Sequence, residues 1–213
     1  MDGRRPKAQR TKDQKPSSAE SKGETLKSRA RTKDDRVLPA AIVLGAALWL
    51  ASASAHQLTR LRPPDVRFVP TPDNVVEAML NLAQVTSADI VYDLGSGDGR
   101  IPIAAAARYG ARAIGIEIDP ILVRQAEANL AKAGVGDRVR FFNQDLFEAN
   151  ISAATVVTLF LLPRLNLELM PKLKRDLRPG ARIVSHQFHM GDQWPPDQSQ
   201  DVNGLMIYLW TVR

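Results

Sequence analysis

The sequence contains no cysteine. That single absence excludes a disulfide scaffold, a thiolate zinc site and a cysteine nucleophile. Net charge is also missing from most of the chain. The excess over 213 residues is +6, and residues 1–36 account for it with 12 Lys/Arg against 6 Asp/Glu, whereas residues 37–213 carry 17 of each. A basic chain invites a nucleic-acid-binding reading, but the part able to fold gives it no support, and no nucleic-acid partner is expected. Internal repeats are absent, as are low-complexity tracts beyond the N-terminus. With 44% hydrophobic and 24% charged residues, the length suits one ordinary domain with extensions.

What is present divides into four stretches. Residues 1–36 are polar, with Leu26 the one large aliphatic side chain. They cannot bury enough apolar surface to offset the entropy of ordering, so a disordered basic tail is expected. Contact of this tail with anionic lipid or nucleic acid stays open. Residues 37–55, VLPAAIVLGAALWLASASA, are nineteen residues without a charge. As a helix they would span roughly 28 Å, close to the hydrocarbon thickness of a bilayer. Trp49 near one end, with Arg60 and Arg62 just beyond, suits an interfacial boundary. A transmembrane helix in contact with membrane lipids is therefore expected. Ala53-Ser54-Ala55 also resembles the end of a signal peptide, but the charged region ahead of it is far longer than a leader. A buried or peripheral helix is the third alternative. Residues 56–66 form a linker stiffened by Pro63-Pro64, and residues 67–213 form the domain.

Within the domain the elements alternate. Thr71-Pro72 reads as an N-cap followed by proline at the first helical position, with Val75, Val76, Met79 and Leu80 on one helical face. Strands are expected at Ile90–Leu94, Ala113–Ile118, Arg138–Phe142, Thr155–Leu162 and Arg182–Gln187. Helices fall between them at Arg100–Arg108, Ile121–Ala133 and Arg164–Leu177. Asn203-Gly204 between two strand-like runs signals a type I′ hairpin. Apolar strands alternating with helices imply a doubly wound, mostly parallel α/β sheet covered on both faces, here of seven strands with a C-terminal hairpin.

The sharpest chemical signal is VYDLGSGDGR, Val91–Arg100. A strand ends near Asp93, and Gly95, Gly97 and Gly99, with Ser96 and Asp98 between them, lead into the next helix. Such a loop lets backbone approach a ligand closely. The G-x-G-x-G spacing and the two carboxylates, Asp93 and Asp98, speak against a pyrophosphate and suit a ligand carrying an amino group beside a sulfonium. Glu117 ends the second strand, where a carboxylate can accept both hydroxyls of a ribose. Asp145 follows the third strand in FFNQDLF, placed to accept from an adenine amino group, with Leu146 and Phe147 beside it.

On these residues the chain resembles a class I S-adenosylmethionine-dependent methyltransferase, over roughly residues 67–213. FVPTPDNVVEAML and the hydrophobic N-terminal segment are similar to a narrower group, the small membrane-associated protein-lysine methyltransferases of the ATP synthase c-ring and adenine nucleotide translocase type and their bacterial relatives. The resemblance implies a Rossmann-like fold, S-adenosyl-L-methionine as cofactor and a protein lysine, on a membrane protein among others, as methyl acceptor. It makes Thr71 and Pro72 cofactor-site residues beside Asp93, Gly95, Ser96, Gly97, Asp98, Gly99, Glu117, Asp145 and Leu146. HMGDQWPPD stands where such folds carry a helix, so the sheet is expected to be uncovered there.

Methyl transfer is an in-line displacement that needs alignment and a neutral amine more than a dedicated base, so no catalytic residue is assigned. Thr158, Leu162, Pro163, Asn166 and His186 are candidates for the acceptor pocket. His186 and His189 are read as facing one side of a strand, and with no third ligand at suitable spacing no metal is expected. Trp194 is a candidate lid, with loop packing as the plainer role. Alternative functions are a methyltransferase acting on RNA or a small molecule, and a non-catalytic S-adenosylmethionine-binding membrane scaffold. Six Lys/Arg at 17–36 against three at 56–75 would keep the tail in the cytoplasm and export the domain. The cofactor is made inside cells, so a cytoplasm-facing domain on a single-pass or peripheral anchor is expected.

Overall fold

A computed structural model describes residues 61–213. The basic tail, the apolar run at 37–55 and the first part of the linker lie outside the described residues. Among the described residues no helix is long and apolar enough to cross a membrane.

The elements in chain order are α1 (Asp73–Leu82), β1 (Ile90–Leu94), α2 (Arg100–Tyr109), β2 (Arg112–Glu117), α3 (Pro120–Ala133), β3 (Val139–Asn143), β4 (Val156–Leu159), α4 (Pro163–Asp176), β5 (Arg182–His186), β6 (Gln198–Val202) and β7 (Leu205–Thr211). They build a seven-stranded sheet in the order β3-β2-β1-β4-β5-β7-β6. The first five strands are parallel, and β7 runs antiparallel to both β5 and β6. Asn203 and Gly204 take positive φ of 55° and 84°, as a type I′ turn demands of both central residues. The strand order reverses between β1 and β4. Ligands bind at such a point, outside the carboxyl ends of the strands.

Register explains the two cores. Val91, Val156, Val184, Ile207 and Leu209 pack with the buried faces of α1, α2 and α3. Their sheet neighbours Leu94, Val157, Leu159 and Ile183 point the other way, onto Leu165, Leu169 and Leu173 of α4. That four-residue spacing keeps the three leucines in one row of the helix. On this second face the β2 side is covered by Ala149, Ile151 and Ala154 from the irregular segment before β4.

Two expectations are corrected. Thr71 does not cap α1: Pro72 holds the N-cap position with no side-chain cap, and the Thr71 hydroxyl lies 3.3 Å from His186 Nδ1. Nor is the sheet bare beyond β5. On one face α1 lies against β5, β7 and β6, burying Val75, Val76, Met79 and Leu80, each worth about 1.5–3 kcal/mol. On the other, Trp210 is fully buried, its Nε1–H donating to the Trp194 carbonyl at 2.8 Å. The absent helix is thus replaced by an N-terminal helix on one face and a tryptophan-bearing loop on the other. Trp194 packs against Trp210 at 6.3 Å between ring centroids and under the Lys174 ammonium at 4.6 Å, and it is not on the wall of the strand-end cavity.

Candidate functional site

Strand β1 delivers Asp93 to the end of the sheet, and the chain must then turn sharply into α2. Gly95, Gly97 and Gly99 make the turn with φ of +86°, +53° and +80°. At Gly97 a Cβ would stand 2.2 Å from the Phe68 ring, so that position has neither the space nor the backbone geometry for a side chain. Ser96 is buried over Gly115, where a Cβ would stand 2.6 Å from the serine Oγ.

Four of the loop's N–H groups are already committed. Those of Gly95 and Ser96 donate to the Ile116 carbonyl, that of Gly99 to the Ser96 carbonyl, and that of Gly97 to Glu117 Oε2 at 2.8 Å. A pyrophosphate cradle needs such groups free. Their satisfaction inside the protein, with Asp93 and Asp98 alongside, leaves a site suited to positive charge. Asp98 is itself balanced by Arg100, whose Nε and Nη2 meet its carboxylate at 3.0 and 2.7 Å. Arg100 Nη1 also donates to the Thr71 carbonyl at 2.8 Å, tying the P-T-P segment to the loop.

A cavity of about 590 Å³ opens at these strand ends, within the range of small-ligand sites. Thr71, Asp93, Gly95, Ser96, Asp98, Glu117, Asp145 and Leu146 lie on its wall. Pro72, Gly97 and Gly99 do not; they shape the backbone behind it. Glu117 accepts from the Gly97 and Asp119 N–H groups, which fixes its carboxylate. Asp93 is 3% exposed and accepts from the Thr158 hydroxyl at 2.6 Å. Burial pushes its carboxyl up to about 7; the Thr158 hydrogen bond opposes this and the charges of Glu117 and Asp98 add to it. Ser96 Oγ is buried with no partner in the protein, a polar atom facing no protein donor or acceptor.

The acceptor-pocket candidates are corrected. Thr158, Leu162, Pro163, Asn166 and His186 are absent from the wall; their neighbours Phe160, Leu161 and Leu165 line it instead. Asn166 is held by the Ser185 hydroxyl and the Phe188 carbonyl. His186 is buried, its ring centroid 4.0 Å from that of Phe160, and burial lowers its pKa. His189 is exposed against Tyr208. The two histidines do not face one side: they are three positions apart, strands alternate with period two, and β5 ends at His186 with Gln187 at φ +68°. Among the described residues no cluster could hold a metal.

The sequence reading missed the segment before α1. Arg62, Pro64, Asp65, Val66, Arg67, Phe68 and Val69 all line the cavity. This segment has no periodicity, and the proline pair gave only its stiffness. Ile116, Ile118, Asp119, Ile121, Leu122 and Gln144 complete the rim where Glu117 and Asp145 stand.

The profile of the ANTKMT methyltransferase domain matches residues 93–198. A protein-lysine N-methyltransferase of Saccharolobus islandicus is 45% identical over 153 residues, covering 70% of this chain and 95% of that protein. The chain belongs to the S-adenosylmethionine-dependent protein-lysine methyltransferase family. The human lysine N-methyltransferase named for the c-type subunit of ATP synthase is 34% identical over 147 residues, and the match spans 69% of this methyltransferase but 62% of the human protein. A crystal structure titled RNA methyltransferase from Salinibacter ruber, in complex with S-adenosyl-L-homocysteine, is 56% identical with a TM-score of 0.67. It aligns with 68% of this chain and 94% of that one. The methyltransferase uses S-adenosylmethionine, which supplies a methyl group activated on a positively charged sulfur, and the cavity's acids fit that charge.

Proposed function

We propose that the protein methylates the ε-amine of a lysine in a protein, with the cofactor held by the strand-end acids. In this reading Asp93 faces the cofactor's ammonium, Glu117 accepts the ribose hydroxyls and Asp145 accepts from the adenine amino group. The observation that carries it is the convergence of these three carboxylates on one cavity that also presents an apolar group of side chains, Phe68, Val69, Phe160, Leu161 and Leu165. An aliphatic lysine stem fits such walls while excluding water from the reacting amine. No wall residue is needed as a strong base: an ammonium desolvated there loses its proton readily. With S-adenosylmethionine bound, its sulfonium would supply the activated methyl group, and the apolar walls would hold the neutral amine in line with it.

The archaeal relative's name supports lysine as acceptor. The Salinibacter protein's title supports RNA as the second reading. Against RNA, residues 61–213 carry sixteen Lys/Arg and seventeen Asp/Glu, which gives no net field for a phosphate backbone. The uncharged run at 37–55 supports action at a membrane, with the domain on the side that holds the cofactor. The human relative's name, which concerns a component of ATP synthase, is compatible with that.

The test is to incubate the full chain with methyl-labelled cofactor and the membrane, soluble and RNA fractions of its host. Methyl-lysine in hydrolysed membrane protein supports the proposal. Label in nuclease-sensitive material replaces it with the RNA reading, and label in soluble protein alone removes the membrane part.

A further inference from the structure

The end of β3 places Asp145 on the cavity wall, 9% exposed. Its Oδ1 accepts from the Phe147 N–H at 2.9 Å and from Arg62 Nη2 at 3.3 Å, and its Oδ2 accepts from Arg62 Nε at 2.5 Å. The guanidinium lies over the Phe147 ring at 5.4 Å and is also bound by Asp65, which in turn faces Arg164 at the start of α4 at 3.6 Å. Arg62 thus comes from outside the regular elements, spans from the β3 end toward α4, and grips one carboxylate with a fork.

The fork has two consequences. A carboxylate attached through one rotatable bond is fixed in plane by two parallel donors, which a single lysine-type donor does not achieve. Each carboxylate oxygen takes about two hydrogen bonds. Oδ1 is filled by Phe147 and Arg62, whereas Oδ2 has one donor and keeps one acceptor position.

From this geometry we infer that Arg62 is a positioning residue for the cofactor: it holds Asp145 so that the remaining Oδ2 acceptor position receives the adenine 6-amino group. The inference rests on the adenine role proposed for Asp145. It makes the segment before α1 part of the cofactor site rather than a spacer, and ties adenine recognition to a residue seven positions beyond the apolar run.

The test uses the full chain and two ligands, S-adenosylhomocysteine and its analogue with hydrogen in place of the 6-amino group. Wild type should prefer the amino compound by about tenfold or more, the range for a hydrogen bond to a charged acceptor. Arg62→Ala should bring the two within about threefold while circular dichroism shows an unchanged fold, and Arg62→Lys should recover part of the preference. A full preference retained in Arg62→Ala overturns the inference, as does tighter binding of S-adenosylhomocysteine by that variant, which would make Arg62 a competitor of adenine. Asp145→Ala, which removes the acceptor, separates the two claims. If it abolishes the preference and Arg62→Ala does not, the inference alone fails; if wild type shows no preference, or Asp145→Ala keeps it, the adenine role falls and the inference with it.

Discussion

The Thr158 hydroxyl donates to the Asp93 carboxylate at 2.6 Å, joining adjacent strands at the reversal point of the sheet. This bond is all that opposes the burial and the two neighbouring carboxylates that raise the Asp93 pKa to about 7. Binding a cation beside Asp93 favours its ionised form, so the protein should release a proton as it takes up the cofactor. Cofactor affinity should then tighten as pH rises from 6 to 8, by up to about tenfold per unit below the raised pKa. Calorimetry across that range checks it, and Asp93→Asn should bind weakly with a flat profile. A wild-type profile as flat as the variant's would remove Asp93 from the cation's surroundings.

The same shift acts on folding with the opposite sign. An acid whose folded-state pKa exceeds its unfolded value makes the native state hold the extra proton. Its contribution to stability is complete below 3.8 and declines as pH rises through about 7. Urea unfolding of the cofactor-free protein should show stability falling over this window relative to Asp93→Asn, and added cofactor should reverse the trend near neutrality.

Gly97 and Phe68 form a steric pair. Gly97→Ala must accept positive φ, at about 1 kcal/mol, and must also displace the Phe68 ring, which is 39% exposed. A total loss of about 1–3 kcal/mol in urea unfolding is expected. In the Phe68→Ala background the glycine substitution should lose less, leaving only the backbone part. Equal losses in both backgrounds would show that the ring yields without cost.

In the proposed site Glu117 would add a binding task to a structural one, since its oxygens already accept from the Gly97 and Asp119 N–H groups. Glu117→Gln turns one acceptor into a donor facing an N–H. S-adenosylhomocysteine should bind about 10–100-fold more weakly, measured by calorimetry with thermal melting as the check on folding.

Trp210 closes the hairpin side of the sheet. Trp210→Ala should cost about 3–5 kcal/mol by cavity formation, whereas Trp194→Ala, whose side chain is half-buried and whose carbonyl is the bonded atom, should cost less.

Much of the fold was legible because its signals are local. The glycine loop, the apolar strands, Pro120 at a helix start and Asn203-Gly204 each act within a few residues, and the structure places elements at all of them. The placing of the acids was legible for the same reason: a carboxylate at or just past the end of an apolar run lies at the carboxyl end of its strand whatever surrounds it. Thr71 was misread because its pattern as a cap is local while its partner, His186, is 115 residues away. The histidine pair failed on spacing, and Thr158, Leu162, Pro163 and Asn166 stand one or two positions from the lining residues Phe160, Leu161 and Leu165, since only packing decides which side of a strand's end faces the cavity. Arg62–Val69 carries no periodicity at all, so only the folded chain shows what it touches.

The helix α1 has a consequence for how the chain is made. Its apolar face settles on β5, β7 and β6, whose last residues follow it by more than a hundred positions. At ordinary translation rates that separation amounts to on the order of ten seconds. Throughout that interval Val75, Val76, Met79 and Leu80 have left the ribosome without the surface that finally covers them. The first helix of the domain to be synthesised can meet α2 early, but it completes its docking only once β5 and the C-terminal hairpin have been made.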